Sequence, residues 1–200
     1  MSPLTELIGS AKAYGWGSFA AAEPAFESIA TVSLSSAASN ITFSSIPATY
    51  KHLQIRGLAR SSNIYYNAGI LLRLNGDSGS NYSRHRFEGY GETALGQDGT
   101  ASATNTQLTA STGGASLSNN FGVFVLEILD YYNTNKNTTM RCLTGYDNNG
   151  NGSGNDRGVI QINSSVWDNT SAVNSIVFTL NDSSNFVSGS KFALYGIKGV

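Results

Sequence analysis

Two histidines, one cysteine and a thin scatter of carboxylates hold whatever catalytic chemistry this 200-residue chain could perform. His52 stands in KHLQIRGLAR, where it alternates with Gln54 and Arg56 against Leu53 and Ile55. A strand of that pattern turns His52 toward solvent. His85 lies between Arg84 and Arg86, and Glu88 is its one nearby carboxylate; flanking cations give it little reason to bind a proton. A Ser-His-Asp triad is a spatial arrangement that counting cannot exclude, but no G-x-S-x-G elbow and no H-E-x-x-H pair is present. Glycoside hydrolysis needs two carboxylates facing one groove. Glu88, Glu92, Glu127 and Asp130 are available, yet Glu127 and Asp130 fall on opposite faces of any strand that holds both. Cys142 sits in the alternation of TTMRCLTGY and reads as a small buried hydrophobe. The expectation is no enzyme, no catalytic residue and no cofactor.

Two loops carry oxygen donors. Asp77-Ser-Gly-Ser-Asn81 spaces them as a calcium loop does, but lacks the bidentate glutamate of an EF-hand. Asp147, Asn149, Asn151 and Asp156 offer a second set. Ordinary turn chemistry, in which Asp and Asn side chains bond their own backbone, accounts for both, so no metal site is assigned. Tyr65, Tyr66, Tyr131, Tyr132, Trp167 and Trp16 invite comparison with an aromatic sugar platform. Adjacent strand residues point to opposite faces, however, so each tyrosine pair offers at most one ring per face.

The elements that must position these side chains read as strands. SIATVSL (28–34) and NITFS (40–44) are short runs joined by small residues, and Pro47 then interrupts pairing. KHLQIRGLAR (51–60) and GILLRLN (69–75) alternate, the second with Ile70, Leu72 and Leu74 on one face and Leu71 and Arg73 on the other. Asn75-Gly76-Asp77 is a tight-turn signal, because Asn-Gly tolerates positive φ. Residues 83–92 fit a strand or an irregular crossing. The low-complexity stretch Ala94 to Asn120 is long for a loop inside a compact domain, so it is expected to hold a short strand or to lie against a neighbour. FGVFVLEILDYY (121–132) is the most apolar run. Its β-branched and aromatic content favours a strand over a helix, central and covered on both faces, with Phe124, Leu126 and Ile128 opposite Val123, Val125 and Leu129. Residues 137–147, 158–167, 173–181 and 191–198 complete about nine strands at regular spacing, which suggests an all-β, antiparallel β-sandwich of jelly-roll type.

Composition agrees. Charged residues are 12% of the chain, about half the usual share, and Ser, Thr, Asn and Gly are abundant. A net charge of −1 argues against a general nucleic-acid binder. One cysteine leaves no intrachain disulfide, which fits folding in a reducing cytosol. No apolar run approaches a membrane span, and Glu6, Gly9, Lys12, Gly15 and Gly17 interrupt anything resembling a signal peptide. Residues 1–26 differ from the sandwich domain, 27–200. They have neither a strand nor a helix period, yet carry Leu7, Ile8, Tyr14, Trp16, Phe19 and Phe26. Disordered tails are poor in aromatics, so these residues are the candidate partner-binding positions of an extended N-terminal arm. Three readings stay open: packing on the arm's own sandwich, threading into a neighbouring subunit, and, behind these, a short helix or tag remnant.

FSSIPATYKHLQIRGLAR (43–60), LRLNGDSGSNYSRHRFEG (72–89) and KFALYGIK (191–198) together resemble a group of small bacteriophage virion proteins. The shared pattern is FSSIP-x-TY, then LR-x-NGD-x-GSNY, a polar loop, and a closing LYGIK-like strand. It runs in order through most of residues 27–198 and leaves residues 1–26 outside. The resemblance implies a virion structural protein assembled in the host cytoplasm, with capsid decoration favoured over a tail or tail-fibre role. The partners implied are other capsid or tail subunits, in a homo-oligomer for which a trimer is one candidate. The alternative implied is a receptor- or glycan-binding module of the tail, with a host-surface glycan as partner.

Overall fold

The computed structural model describes residues 24–90, 93–150 and 157–199. These form twelve strands and no helix: β1 (Phe26–Ser33), β2 (Asn40–Phe43), β3 (His52–Ala59), β4 (Asn67–Leu74), β5 (Tyr82–Tyr90), β6 (Thr93–Ala103), β7 (Thr106–Thr112), β8 (Gly122–Leu129), β9 (Thr138–Asp147), β10 (Gly158–Trp167), β11 (Ile176–Leu180) and β12 (Lys191–Ile197). They make an antiparallel β-sandwich of two unequal sheets. The larger runs β1-β12-β3-β8-β9-β10-β5-β6 and the smaller β2-β11-β4-β7. The chain crosses between sheets at every step from β1 to β5, then adds in-sheet hairpins at β5–β6 and through β8–β9–β10.

The alternation expected for β3 and β4 is present. Leu53, Ile55, Ile70, Leu72 and Leu74 are wholly buried, and Arg73 is exposed. The low-complexity stretch yields β6 and β7, and residues 82–90 form a full strand, which raises the count from nine to twelve. Small hydroxylic residues suit β7 because its side chains meet backbone: Ser111 Oγ donates to Ala68 O at 3.1 Å and Thr112 Oγ1 to Asn120 O at 2.6 Å. The low-complexity run therefore pairs strands rather than looping.

Four phenylalanines join the sheets. Phe192 of β12 lies 5.3 Å from Phe124 of β8, 5.1 Å from Phe178 of β11 and 5.5 Å from Phe186, centroid to centroid. All four are buried. Gly57, in β3 opposite Phe124, leaves the room that ring needs, since a Cβ built there would stand 2.1 Å from its Cε1.

Asn75-Gly76 makes a tight turn with φ of 52° and 68°, closed by Asp77 N donating to Leu74 O at 2.9 Å. Both positive φ values are those of a type I′ turn, which elsewhere links paired strands. Here it does not make a hairpin, because β4 and β5 belong to different sheets and the turn is a corner of the sandwich.

Gly57→Ala is expected to lower stability by about 1–3 kcal/mol by forcing Phe124 off its position. Urea unfolding followed by tryptophan fluorescence measures this; an unchanged midpoint would show that the Phe124 contact does not constrain the sheet pair.

Candidate functional site

The residues nominated for chemistry do not converge. His52 is half-buried rather than freely solvated, and its Nδ1 accepts the backbone N–H of Asp130 at 2.9 Å. Asp130 follows β8 with φ of 47° and takes Lys136 and Lys51 as ion partners, and the Lys136 contact foremost holds its carboxyl below the usual range. Glu127 pairs across strands with Arg141, whose Nη2 and Nε donate to Oε2 at 2.6 and 3.1 Å. Glu88 is engaged by Gln161 and Arg86 on the other side of the same sheet. Cys142 is buried against the core, which pushes its thiol pKa up and keeps it protonated. Among the described residues no three of His, Cys, Asp and Glu gather as metal ligands.

Asp77 does more than turn the chain. Its Oδ2 accepts from Asn81 Nδ2 at 2.8 Å and from the indole Nε1 of Trp167 at 2.7 Å, while Oδ1 accepts from Gly79 N at 2.7 Å. The Asn81 bond foremost, then those of Trp167 and Gly79, hold the carboxyl below its ordinary pKa. Tyr82 stacks on Trp167 at 6.4 Å, and its hydroxyl accepts from Leu74 N at 3.0 Å. Burial pushes that phenol up to about 12. Residues 74–82 are thus a polar knot under the sandwich corner. In the second loop, Asp147 Oδ1 accepts from Asn149 N at 2.7 Å, an ordinary Asx turn; Asn151 and Asp156 lie outside the described residues. Of the proposed aromatic platform, Tyr131 and Trp167 are buried, Tyr65 and Tyr132 are exposed, and Trp16 lies outside the described residues.

What the fold does bring together is an apolar face on the outside of the larger sheet. Leu58 pairs with Val123, Val123 with Gly145 and Gly145 with Ile160; beside that row run Arg56, Val125, Leu143, Ile162 and Phe87. Val123, Leu143, Ile160, Ile162 and Phe87 are each 49–60% exposed. Val123 and Val125 form a ridge between two shallow depressions, one of about 420 Å³ beside Gly145 and one of about 340 Å³ beside Leu58 and Tyr195. The expectation that β8 is covered on both faces is corrected here: Phe124, Leu126 and Ile128 are buried, but Val123 and Leu129 face outward. The smaller sheet covers one side only.

The inward side of β10 and β5 carries the opposite chemistry. Gln161, Asn163 and Ser165 are buried there, with Arg84, Arg86 and Glu88 partly so. The middle of β10 and the adjoining part of β5 are therefore polar inside and apolar outside, the reverse of a solvated sheet, while Val159, Trp167 and Tyr82 at the strand ends are buried inward. The alternation of Ile160 and Ile162 with Gln161 and Asn163 was readable in the sequence. Which set faced inward was not.

Phe26 begins β1, inside the stretch assigned to the arm, and joins this outer face. Its ring lies 6.3 Å from that of Tyr195, and the Arg56 guanidinium stands 6.0 Å over Phe26 and 5.6 Å over Tyr195. Leu7, Ile8, Tyr14, Trp16 and Phe19 lie outside the described residues. Comparison with protein families, curated proteins and solved structures returned no match.

Two outcomes follow from the knot at Asp77. Asp77→Ala leaves the buried Trp167 Nε1 without its acceptor and should cost about 2 kcal/mol in chemical denaturation. Because the folded-state pKa is depressed, the stabilisation is full above the ordinary carboxylate range and fades as pH falls below about 4, so the variant's acid unfolding limb should be flatter than wild type. Since three N–H donors already engage the Asp77 carboxylate, calcium and EDTA should leave the melting temperature unchanged; a shift of several degrees between them would identify a cation site.

Proposed function

We propose that this protein is a non-enzymatic structural part of a bacteriophage particle, a decoration or cement-type subunit of the capsid surface that locks onto neighbouring subunits through its N-terminal arm. The observation that carries this reading is the apolar outer face of the larger sheet. A monomeric soluble protein rarely leaves so continuous a patch open to water. The sequence pattern shared with small virion proteins supplies the setting, and the face supplies the means of attachment. The order β1-β12-β3-β8 opposite β2-β11-β4-β7, with the chain passing from sheet to sheet, supports a jelly-roll description, to which β5, β6, β9 and β10 are an extension.

The occupant of the face is the arm, residues 1–23, of a neighbouring copy. Fully extended, that segment spans roughly 75 Å. The face from β1 to β5 is six strand spacings wide, roughly 29 Å. The described chain begins at Pro24, next to the Phe26–Tyr195–Arg56 contact, at the edge from which the arm would depart. Leu7 and Ile8 stand so far ahead of Phe26 that an extended arm carries them beyond its own sheet. Burying such side chains on Val123, Leu143, Ile160 and Ile162 supplies transfer free energy that offsets the ordering of the arm.

Sedimentation tests the arrangement. The full-length chain should form a concentration-dependent oligomer. Removal of residues 1–23, or Ile162→Asp in the intact chain, should give a folded monomer that no longer enters particles. A full-length monomer whose arm resists protease would put the arm on its own sheet and overturn the exchange. Normal incorporation of the truncated chain would overturn the anchoring role.

A further inference from the structure

A polar cleft of about 310 Å³ opens where the extension of the larger sheet parts from the smaller one. Its walls include Arg86 and Glu88 of β5, Gln161 of β10, Asn181 and Asp182 from the β11–β12 connection, and Tyr65 from the β3–β4 loop. The inner end is a fixed network: Gln161 Nε2 donates to Glu88 Oε2 at 2.6 Å, and Arg86 Nε stands 3.2 Å from the same carboxylate. The side chains of Arg86 and Glu88 are 17% and 12% exposed. Gln161 is 5% exposed, and its Oε1 has no protein donor. On the opposite wall Asp182 is held by Asn63 Nδ2 at 2.8 Å and by the Ser184 hydroxyl at 2.6 Å, and Asn181 Oδ1 accepts from Gly69 N at 3.0 Å. Tyr65, 67% exposed, stands at the rim.

From this lining we propose that the cleft binds a neutral saccharide, one or two sugar units in size. The charges select against an anion. Arg86 is already neutralised by Glu88, and Asp182 adds a further negative charge, so a phosphate, sialic acid or uronic acid meets repulsion. Carboxylates are acceptors only, whereas amides both donate and accept. Carboxylates facing amides across a narrow cleft match vicinal hydroxyls, which do both at once. A sugar hydroxyl seated beside Gln161 supplies the donor its Oε1 lacks, and leaving such a group unpaired is costly. The Tyr65 ring offers an apolar surface to the C–H face of a pyranose at the mouth. The volume is at the lower end of ligand clefts, which sets the size limit. This assignment does not depend on the particle reading: the cleft lies on the inner side of β5 and β10, away from the outer apolar face.

The test is saturation-transfer NMR of the full-length chain against methyl glycosides of glucose, galactose and mannose, N-acetylglucosamine, and sialic acid as the anionic control. At least one neutral glycoside should bind at millimolar concentration, and sialic acid should not compete with it. Glu88→Gln should weaken binding about tenfold, the worth of one hydrogen bond to a charged group, and Tyr65→Ala about as much through loss of the apolar ring surface at the mouth. Tyr65 is on an exposed loop, so its variant reports on the cleft even where Glu88→Gln disturbs folding. The assignment fails if no neutral glycoside binds, if binding persists unchanged in Tyr65→Ala, or if sialic acid binds in preference.

Discussion

The contact of Phe192 with Phe124, Phe178 and Phe186 is the constraint from which the rest of this structure follows. It ties β8 and β12 of the larger sheet to β11 of the smaller one through rings that stand tilted or edge-on, the arrangement their quadrupoles favour. The two sheets can close on each other there only because Gly57 has no side chain beneath Phe124. Once that centre is packed, the smaller sheet has committed its inner face. Past β8 it is chiefly β7 of the smaller sheet that reaches the extension, where Thr106 bonds Ser165 of β10 at 2.8 Å, and a cleft opens beside Arg86, Glu88 and Gln161.

The extension is where packing and function part company. Strands β9, β10 and β5 continue the hydrogen bonding of the larger sheet, and their backbone is satisfied by pairing with one another and with β8 and β6. Inward, Met140 and Cys142 of β9, Trp167 of β10 and Tyr82 of β5 still join the core. The middle of β10 and β5 turns to Gln, Asn, Ser, Arg and Glu, bonded in part to one another and to Thr106 of β7. The outward side receives Leu143, Ile160, Ile162 and Phe87. A sheet that must remain dissolved as a monomer gains nothing from that inversion. Burial against another chain is the use proposed for it, and the same inversion builds a polar cleft on the inner side.

Much of this was legible in the residues. Sparse charge and the alternation in KHLQIRGLAR and GILLRLN specified strands and, within β3 and β4, the correct inward faces, because apolar and polar residues there differ sharply. Asn75-Gly76 specified a tight turn through its tolerance of positive φ. Other features were illegible for definable reasons. The Thr- and Ser-rich strand β7 carries no apolar alternation, since Ser111 and Thr112 pair with backbone rather than fill a core. The engagement of Asp77 with Trp167, ninety positions away, leaves no local trace.

By itself the sequence determined the class of the protein: strands, short turns and a single cysteine set in an apolar alternation. These depend on local periodicity and composition, which each segment carries alone. Only the tertiary structure decided that the Asn-Gly turn is a corner between sheets, that Tyr131 and Trp167 lie inside while Tyr65 lies out, and that Ile160 and Ile162 face water. Alternation of period two says that two faces differ. Which of them meets the core depends on how far the opposing sheet extends, and that is a property of the whole chain.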